Sequence, residues 1–280
     1  MLRISPYSHG GVDQIIGAMQ GWAWEFVHHK VIGFEDLDPS ETEQKAIMRA
    51  LYDRFDTRCT ECNEAPRPSH ISKLGETDQA FFHGGIDEVE ERNWHMDDAH
   101  FEETTALLSL HMVHFDYPPG PVGNTVFCDM EKLFDNAPDD IKEYALKTKM
   151  CHIYPAGGSD GEKVSEVETR GAIHDAVRKH AVTYKKSFFA PNFAFGPADG
   201  YGSRDDPEFG KYLNWVGEQV KDPANQERWI WNEGDLVIWD NRNLMHTMSG
   251  GWNAGERIFN RCSIGREKPV GVSENLVLFE

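Results

Sequence analysis

Apolar residues recur at helical intervals in several stretches of the chain. Residues 12–29 show this spacing in their first half, although the pattern of the second half is ambiguous. Residues 38–43 combine a capping residue with early acidic side chains, which is typical of a helix start, and this helix is expected to reach about Phe55. Two further helices are predicted at residues 129–147, with a potential break at residues 137–140, and at residues 212–220.

Strand patterns account for much of the remaining sequence. Strands are predicted in residues 1–10, 30–34, 106–113 and 124–128, and residues 234–246 contain an apolar β-type run that ends in a turn. Many short strands with a few helices indicate a mainly β protein of the α+β class. The expected core is a double-stranded β-helix, or jelly roll, with helices packed on one sheet. No internal repeat or linker is evident, so residues 1–280 are interpreted as a single domain.

The composition limits the class of partner. The chain has 280 residues and a formal net charge of −19, which argues against nucleic acid or an anionic membrane as the main partner. Of five cysteines only Cys59 and Cys62 are close in sequence, and we interpret this pair as reduced loop residues, not as part of a zinc or disulfide framework. No apolar signal region begins the sequence and no run reaches 18 apolar residues, so a cytoplasmic protein without a membrane span is expected.

A histidine and an aspartate two residues apart are the first candidate for chemistry. On an extended strand His95 and Asp97 would point to the same face, presenting an imidazole nitrogen beside a carboxylate oxygen. Such a pair suits a divalent metal such as iron, manganese or zinc. The pattern alone is weak, because His-x-Asp occurs often by chance, and a surface pair near a strand end is the alternative.

A third ligand and two arginines follow far downstream. His246 comes after an apolar run and a turn, and two histidines with one carboxylate form the usual cage of non-haem Fe(II) oxygenases, which leaves one side of the metal open. Arg257 and Arg261 are four residues apart and would share a strand face. Since a buried guanidinium needs an anion, a carboxylate ligand is indicated.

Further short motifs lie between these residues in a fixed order. The full series is His95, Asp97, Gly123, Asn124, Thr125, Trp239, Asp240, Asn241, Arg242, His246, Arg257 and Arg261. Taken in order, these motifs resemble those of the taurine dioxygenase-like family of Fe(II)/2-oxoglutarate dioxygenases, which also includes chlorophenoxyacetate dioxygenases. The resemblance covers nearly the whole chain.

The resemblance implies a cofactor set and a reaction. Fe(II) would be held by His95, Asp97 and His246 as the catalytic centre, with O2 taking the last free position. The far carboxylate of 2-oxoglutarate would bind Thr125 and Arg257. The expected reaction oxidises, by hydroxylation, an unactivated C–H bond and releases succinate and CO2. Asp97 favours hydroxylation over halogenation, because related halogenases carry a small residue there, whereas desaturation and cyclisation stay open.

Other carried-over positions concern the cosubstrate's surroundings and the substrate. Trp239 would pack near the cosubstrate, with a plain core tryptophan as the alternative. Arg261 matches the position that holds a sulfonate or carboxylate, which implies a small anionic substrate, although a structural ion pair is the alternative. Glu91 and the loop with Phe82 differ from taurine-specific members, so a larger or partly apolar acid is preferred over taurine. Residues 58–91 and 193–210 are candidate lid loops over the site.

Two rival functions remain at this point. A redox-silent metal-binding jelly roll, such as an isomerase or a binder, would keep the three metal ligands without needing Arg257 and Thr125. A zinc hydrolase would need a general base near the metal, for which Glu91 is the obvious candidate. The sequence leaves open the substrate's identity, the type of oxidation and whether the protein forms a homo-oligomer.

Overall fold

The computed structural model describes residues 1–5, 10–54, 72–74, 94–116, 123–152, 172–191, 194–198, 205–250 and 256–272. The predicted substrate contacts Phe82 and Glu91 lie outside these residues, and so do Cys59 and Cys62. Of the two candidate lids, residues 58–91 and 193–210, only 72–74, 194–198 and 205–210 are described.

Five α-helices lie in the described chain: α1 Val12–His29, α2 Glu41–Tyr52, α3 Met130–Asn136, α4 Asp139–Lys147 and α5 Pro207–Lys221. The start of α2 is confirmed by a capping box, in which Glu43 N donates to Ser40 Oγ at 3.3 Å and Ser40 N donates to Glu43 Oε2 at 2.8 Å. This helix ends at Tyr52, three residues before the predicted end.

The break predicted at residues 137–140 is confirmed, since residues 129–147 form two helices, α3 and α4, separated by extended chain at Ala137 and Pro138. The start of another helix needed revision. The helix predicted from residue 212 begins earlier, at Pro207, where Glu208 N donates to the side chain of Asp206 at 3.0 Å. A capping aspartate followed by proline is a helix start that apolar spacing alone does not show.

Fifteen strands are described. They are β1 Leu2–Ile4, β2 Val31–Phe34, β3 Ser72–Leu74, β4 Thr104–Phe115, β5 Thr125–Asp129, β6 Lys149–His152, β7 Ala172–Asp175, β8 Val177–Lys179, β9 Lys186–Phe188, β10 Ala194–Pro197, β11 Gln226–Trp229, β12 Leu236–Asp240, β13 Leu244–Met248, β14 Arg257–Glu267 and β15 Val270–Gly271. Each stretch predicted as a strand from its apolar pattern overlaps one of them, whereas the strand proposed for His95 and Asp97 is not among them.

The strands form one large sheet and three small ones. The six-stranded sheet has the order β1-β2-β12-β4-β14-β3, and its pairs are antiparallel apart from β1 with β2. The three-stranded sheets have the orders β11-β5-β13, β10-β6-β7 and β15-β8-β9. The described chain therefore mixes helices and largely antiparallel sheets.

Strand β12 shows how the large sheet separates two hydrophobic clusters. Leu236 and Ile238 face a cluster that contains the buried sides of α1 and α2. Val237 and Trp239, at the alternate positions, face a second cluster shared with β5, β11 and β13. Helices α1 and α2 thus cover one face of the large sheet, and the small sheet β11-β5-β13 covers the other. Within the described residues, no helix is long and apolar enough to cross a membrane.

Candidate metal centre

His95 and His246 are held together by their main chains. His246 lies on β13, and the two residues form an isolated antiparallel bridge in which each N–H donates to the other's carbonyl at 2.9 Å. The predicted strand at residues 95–97 is therefore limited to this single bridge, and Asp97 lies in the turn that follows. The bridge also brings the two imidazole rings together, with centroids 4.2 Å apart.

The structure assembles the three predicted ligands into one cluster. His95, Asp97 and His246 each offer a donor atom, and these atoms lie within 4.8 Å of one another. Asp97 Oδ1 is 3.0 Å from Nε2 of His95 and 3.8 Å from Nε2 of His246. Among the residues that the structure describes, no other three histidine, cysteine, aspartate or glutamate side chains come together in this way.

The electrostatics of the cluster favour the protonation states that a metal needs. Burial, together with the neighbouring His95, lowers the pKa of His246 to about 3, so its imidazole is neutral near pH 7. Burial works against ionisation of Asp97, but Arg261 and the two histidines outweigh it and hold the pKa of this carboxyl well below its usual range. A neutral imidazole and an ionised carboxylate are the forms that bind metal.

Arg261, predicted to bind the substrate, directly contacts the cluster of candidate metal ligands, hereafter the metal cluster. Its Nη2 donates to Asp97 Oδ2, the oxygen that is not the one nearest His95. The contact raises the pKa of Arg261, although burial works in the opposite direction. Arg261 therefore lies at the centre, where both the predicted role and its ion-pair alternative would place it.

Asn241 is a residue of the centre to which sequence reasoning gave no role. Its Oδ1 accepts from Asp97 N at 2.9 Å, and its Nδ2 donates to Asp97 O at 3.0 Å and to Thr105 O at 2.8 Å. Asparagine directly after a strand is an ordinary turn residue. Because Asp97 is 144 positions away in sequence, no local pattern could have revealed the contact.

The turn that carries Asn241 is fixed by a buried ion pair. Arg242 donates from Nε and Nη2 to the two carboxylate oxygens of Asp240, at 2.8 and 2.7 Å. His180 Nε2 lies 3.0 Å from Asp240 Oδ2, while its Nδ1 accepts from the main chain of Val182 and Thr183 at 3.3 and 3.1 Å. Since Nδ1 is an acceptor, Nε2 carries the hydrogen and donates to Asp240.

Arg257, at the start of β14, lies in a largely apolar setting. Its side chain is 3% exposed, its guanidinium lies 4.1 Å from the centre of the Phe259 ring, and Nη1 is 3.5 Å from Met248 Sδ. Burial lowers the pKa of this guanidinium to about 9. Gly123 packs against it with φ at 65°, and a side chain there would approach Arg257 Cδ to 2.9 Å.

Thr125 is connected through Trp231 to Phe259, the aromatic residue that packs on Arg257. The indole N–H of Trp231 donates to Thr125 Oγ1 at 3.0 Å, and the Trp231 ring lies 4.7 Å from the Phe259 ring. Thr125 is also paired in register with Met248, the residue that touches Arg257. The structure therefore brings Thr125 and Arg257 to one region, and the contact between Trp231 and Thr125 is one that the sequence did not indicate.

Trp239 packs against the metal cluster. Its ring centroid is 4.9 Å from that of His246 and 5.6 Å from that of Phe127, and the residue is 1% exposed. The indole thus supports the orientation of the His246 ring from the buried side.

Comparison with known proteins extends these observations. Residues 15–263 match the family described as "Taurine catabolism dioxygenase TauD, TfdA family". An alkylsulfatase of Acinetobacter baylyi is 29% identical over 165 residues, which are 55% of this chain and 51% of that protein. An alpha-ketoglutarate-dependent sulfate ester dioxygenase of Pseudomonas putida is 26% identical over 196 residues, 66% of this chain and 63% of that protein. The chain therefore spans between half and two thirds of the length of these two relatives.

A solved structure shares the fold. The crystal structure of AAD-2 in complex with Mn(II) and N-oxalylglycine superimposes with a TM-score of 0.70 and 20% sequence identity, over 91% of this chain and 89% of that one.

Proposed function

The chain belongs to the taurine catabolism dioxygenase TauD/TfdA family, and from this premise we propose that it is an Fe(II)- and 2-oxoglutarate-dependent dioxygenase. Its reaction would oxidise, by hydroxylation, a C–H bond of a small anionic organic molecule. The observation that carries the proposal is the cluster of His95, Asp97 and His246, whose donor atoms lie within 4.8 Å of one another. The family match favours this function over the redox-silent and hydrolytic alternatives.

The side chains at the site fit an iron ion. Two imidazoles and one carboxylate are the protein ligands of many non-haem Fe(II) oxygenases, and they leave coordination positions open for other molecules. His95 and His246 would each offer Nε2, and Asp97 would offer Oδ1. When bound together, Fe(II), 2-oxoglutarate and O2 supply the oxidising chemistry, in which 2-oxoglutarate loses CO2 to become succinate and one oxygen atom enters the substrate.

The region around Arg257 would hold the cosubstrate. Arg257 can form paired hydrogen bonds with a carboxylate, and a bound anion would offset the cost of burying its charge. Thr125 already accepts a hydrogen bond from Trp231, so its own hydroxyl hydrogen remains available for the same carboxylate. Phe259, Trp231 and Trp239 would exclude water from this region and so strengthen these contacts.

Arg261 would bind the anionic group of the substrate. Its guanidinium carries five N–H groups. The contact to Asp97 uses one N–H of Nη2, so other N–H groups can donate to the substrate. The Pseudomonas relative is described as acting on sulfate esters, which supports a carboxylate, sulfonate or sulfate ester as the substrate class. A larger, partly apolar acid remains preferred over taurine.

The finer architecture is also a proposal. We infer that the six-stranded sheet and the β11-β5-β13 sheet are the two halves of a jelly-roll core. The support is their shared hydrophobic cluster, which includes Val237 and Phe259 from the large sheet and Phe127 and Leu244 from the small one. Residues 1–280 would form a single domain around that core.

Charge transfer between iron and cosubstrate provides the test. The protein is purified without oxygen, loaded with Fe(II) and 2-oxoglutarate, and examined for the weak visible metal-to-ligand charge-transfer band. We expect the band in the wild type, a weaker band in Arg257→Ala and none in His246→Ala. His111→Ala is the matched control, because His111 is also buried but pairs with Asp38 and not with the cluster.

The outcomes separate the alternatives. A folded wild-type protein that binds iron but shows no band overturns the dioxygenase proposal and favours the redox-silent site. If the band appears, succinate release is then measured with sulfate esters, sulfonates and carboxylates of increasing apolar size.

A further inference from the structure

The three metal ligands are not fixed in the same way. His95 and His246 hold each other through the two main-chain hydrogen bonds of their bridge, at 2.9 Å each. Asp97 lies in a turn, and the contacts to its main-chain N–H and C=O come from the side chain of Asn241. The carboxamide thus does for Asp97 what a neighbouring strand does for His95.

We propose that Asn241 is a positioning residue for the metal centre, which sets the place of the Asp97 carboxylate by clamping the peptide groups on both sides of its Cα. The inference rests on the proposed metal site. It adds to that site a residue that touches neither metal, cosubstrate nor substrate and acts only through Asp97.

The chemistry of asparagine suits this task. Asp97 presents one donor and one acceptor, so its partner needs an acceptor and a donor side by side, which a carboxamide provides. Oδ1 accepts from Asp97 N at 2.9 Å, and one hydrogen of Nδ2 goes to Asp97 O at 3.0 Å. The second hydrogen of Nδ2 is donated to Thr105 O at 2.8 Å, so Asn241 also fixes the position of Asp97 relative to strand β4. An aspartate would keep the acceptor but lose both of these donors.

Asn241 is itself held on both sides. Its N–H donates to Ala106 O at 2.9 Å, and its carbonyl accepts from Arg178 Nη2 at 2.9 Å. Arg178 is 3% exposed, and its guanidinium lies 4.5 Å from the centre of the Phe189 ring. The clamp therefore connects Asp97 to β4 and β8 through groups with little freedom to move.

Affinity for Ni(II) measures the effect without relying on turnover. Ni(II) binds the same nitrogen and oxygen donors more tightly than Fe(II), so weakened variants remain measurable. Asn241→Ala is compared with wild type and with Asn243→Ala, a second buried asparagine of the same turn that has no hydrogen bond to Asp97. Asn241→Asp is prepared alongside and is read in place of Asn241→Ala if the alanine variant does not fold. Thermal unfolding verifies that each variant is folded.

Asn241→Ala is expected to weaken Ni(II) binding roughly 10- to 100-fold, the usual loss when a residue that orients a metal ligand is removed. Asn243→Ala should bind as the wild type does. The decisive comparison is made in the Asp97→Ala protein. Once the Asp97 carboxylate is absent, adding Asn241→Ala should cause no further loss of Ni(II) affinity, because Asn241 acts through that carboxylate.

Two results would overturn the inference while leaving the metal site intact: an unchanged Ni(II) affinity in a folded Asn241→Ala protein, or an equal loss in the presence and absence of Asp97. The second would identify a general structural role. A wild-type protein that binds no Ni(II) would instead overturn the proposed function, and this inference with it.

Discussion

Arg261 and Asp97 form an ion pair at the metal cluster, in which the guanidinium holds Oδ2 while Oδ1 of the same carboxylate faces His95 Nε2 at 3.0 Å. The two oxygens of one side chain therefore have different partners. This arrangement leaves one oxygen for a metal ion and stabilises the carboxylate charge from the other side. It also joins the predicted anion-binding arginine to a predicted metal ligand, so the proposed substrate and metal sites would be in direct contact.

Replacing Arg261 should change the pH dependence of metal binding. Because Arg261 helps to hold the pKa of Asp97 below its usual range, Arg261→Ala should raise that pKa. Protons would then compete with the metal at a higher pH than in the wild type. Co(II) affinity measured between about pH 4 and pH 7 should fall earlier on acidification in the variant. Arg266→Ala is the control, because this exposed arginine lies near the neighbouring carboxylate, 4.0 Å from Asp98 Oδ2, and does not contribute to the lowered pKa of Asp97. Identical profiles for Arg261→Ala and wild type would contradict the argument.

Trp231→Phe should weaken cosubstrate binding. The change keeps an aromatic ring beside Phe259 but removes the N–H that donates to Thr125 Oγ1, so the threonine hydroxyl loses its fixed orientation. A hydrogen bond of this kind contributes about 1 kcal/mol, and the dissociation constant of 2-oxoglutarate should rise roughly fivefold. Titration of the charge-transfer band measures it.

The matched control is Trp229→Phe. Trp229 is equally buried and its indole N–H donates to Asp235 Oδ2 at 3.0 Å, away from Thr125. If both tryptophan variants weaken 2-oxoglutarate binding to the same degree, the effect belongs to the packing of the sheet and not to Thr125.

The sequence indicated which three side chains would cluster, but it did not indicate the residues that hold them in place. His95, Asp97 and His246 could be found because metal ligands are restricted to a few residue types and followed a known order, and the structure brings their donor atoms within 4.8 Å. Asn241 and Trp231 were missed because their roles depend on contacts over 144 and 106 positions in sequence. Turn formation and core packing are the ordinary explanations for such residues, and periodicity contains no information on long-range hydrogen bonds.

The same distinction applies to the fold. Strand β12 was predicted correctly because a continuous apolar run is what a strand buried on both faces requires. The start of α5 was missed because it depends on the Asp206 cap and Pro207, and not on apolar spacing. The strand predicted at His95 was wrong in extent, since Asp97 is held by a side chain and not by a neighbouring strand.

Asp240→Asn should destabilise the protein strongly. The substitution removes the charge of the carboxylate to which the Arg242 guanidinium, 4% exposed, donates two hydrogen bonds, while Glu267 Oε1 stays 3.7 Å from Arg242 Nη1. Breaking a buried pair in this way costs about 3–5 kcal/mol of unfolding free energy. Asp140→Asn is the control, because the Asp140–Lys211 pair has both side chains more than half exposed and should contribute at most about 1 kcal/mol. Urea unfolding of both variants measures the difference, and equal losses would argue against a special role for the buried pair.

His152 should make the protein sensitive to mild acid. Its side chain is fully buried, with ring centroids 5.4 Å from His174 and 5.0 Å from Phe189, and burial followed by the nearby His174 holds its pKa well below the usual value. In the unfolded chain this histidine titrates near pH 6.5. Below that pH the unfolded state takes up a proton that the folded state does not. The unfolding free energy therefore keeps its full contribution from neutral His152 above about pH 6.5 and loses it as the pH falls.

Replacing His152 by leucine tests this directly. Neither ring nitrogen has a hydrogen-bond partner among the described residues, so His152→Leu should change the unfolding free energy little at pH 7. Between pH 7 and pH 5 the variant should lose less stability than the wild type, as measured by urea unfolding at each pH. His28→Gln, a change at an exposed histidine of α1, should follow the wild-type curve. If His152→Leu loses stability as steeply as the wild type, acid sensitivity has its origin elsewhere, with His174 as the next candidate because burial lowers its pKa as well.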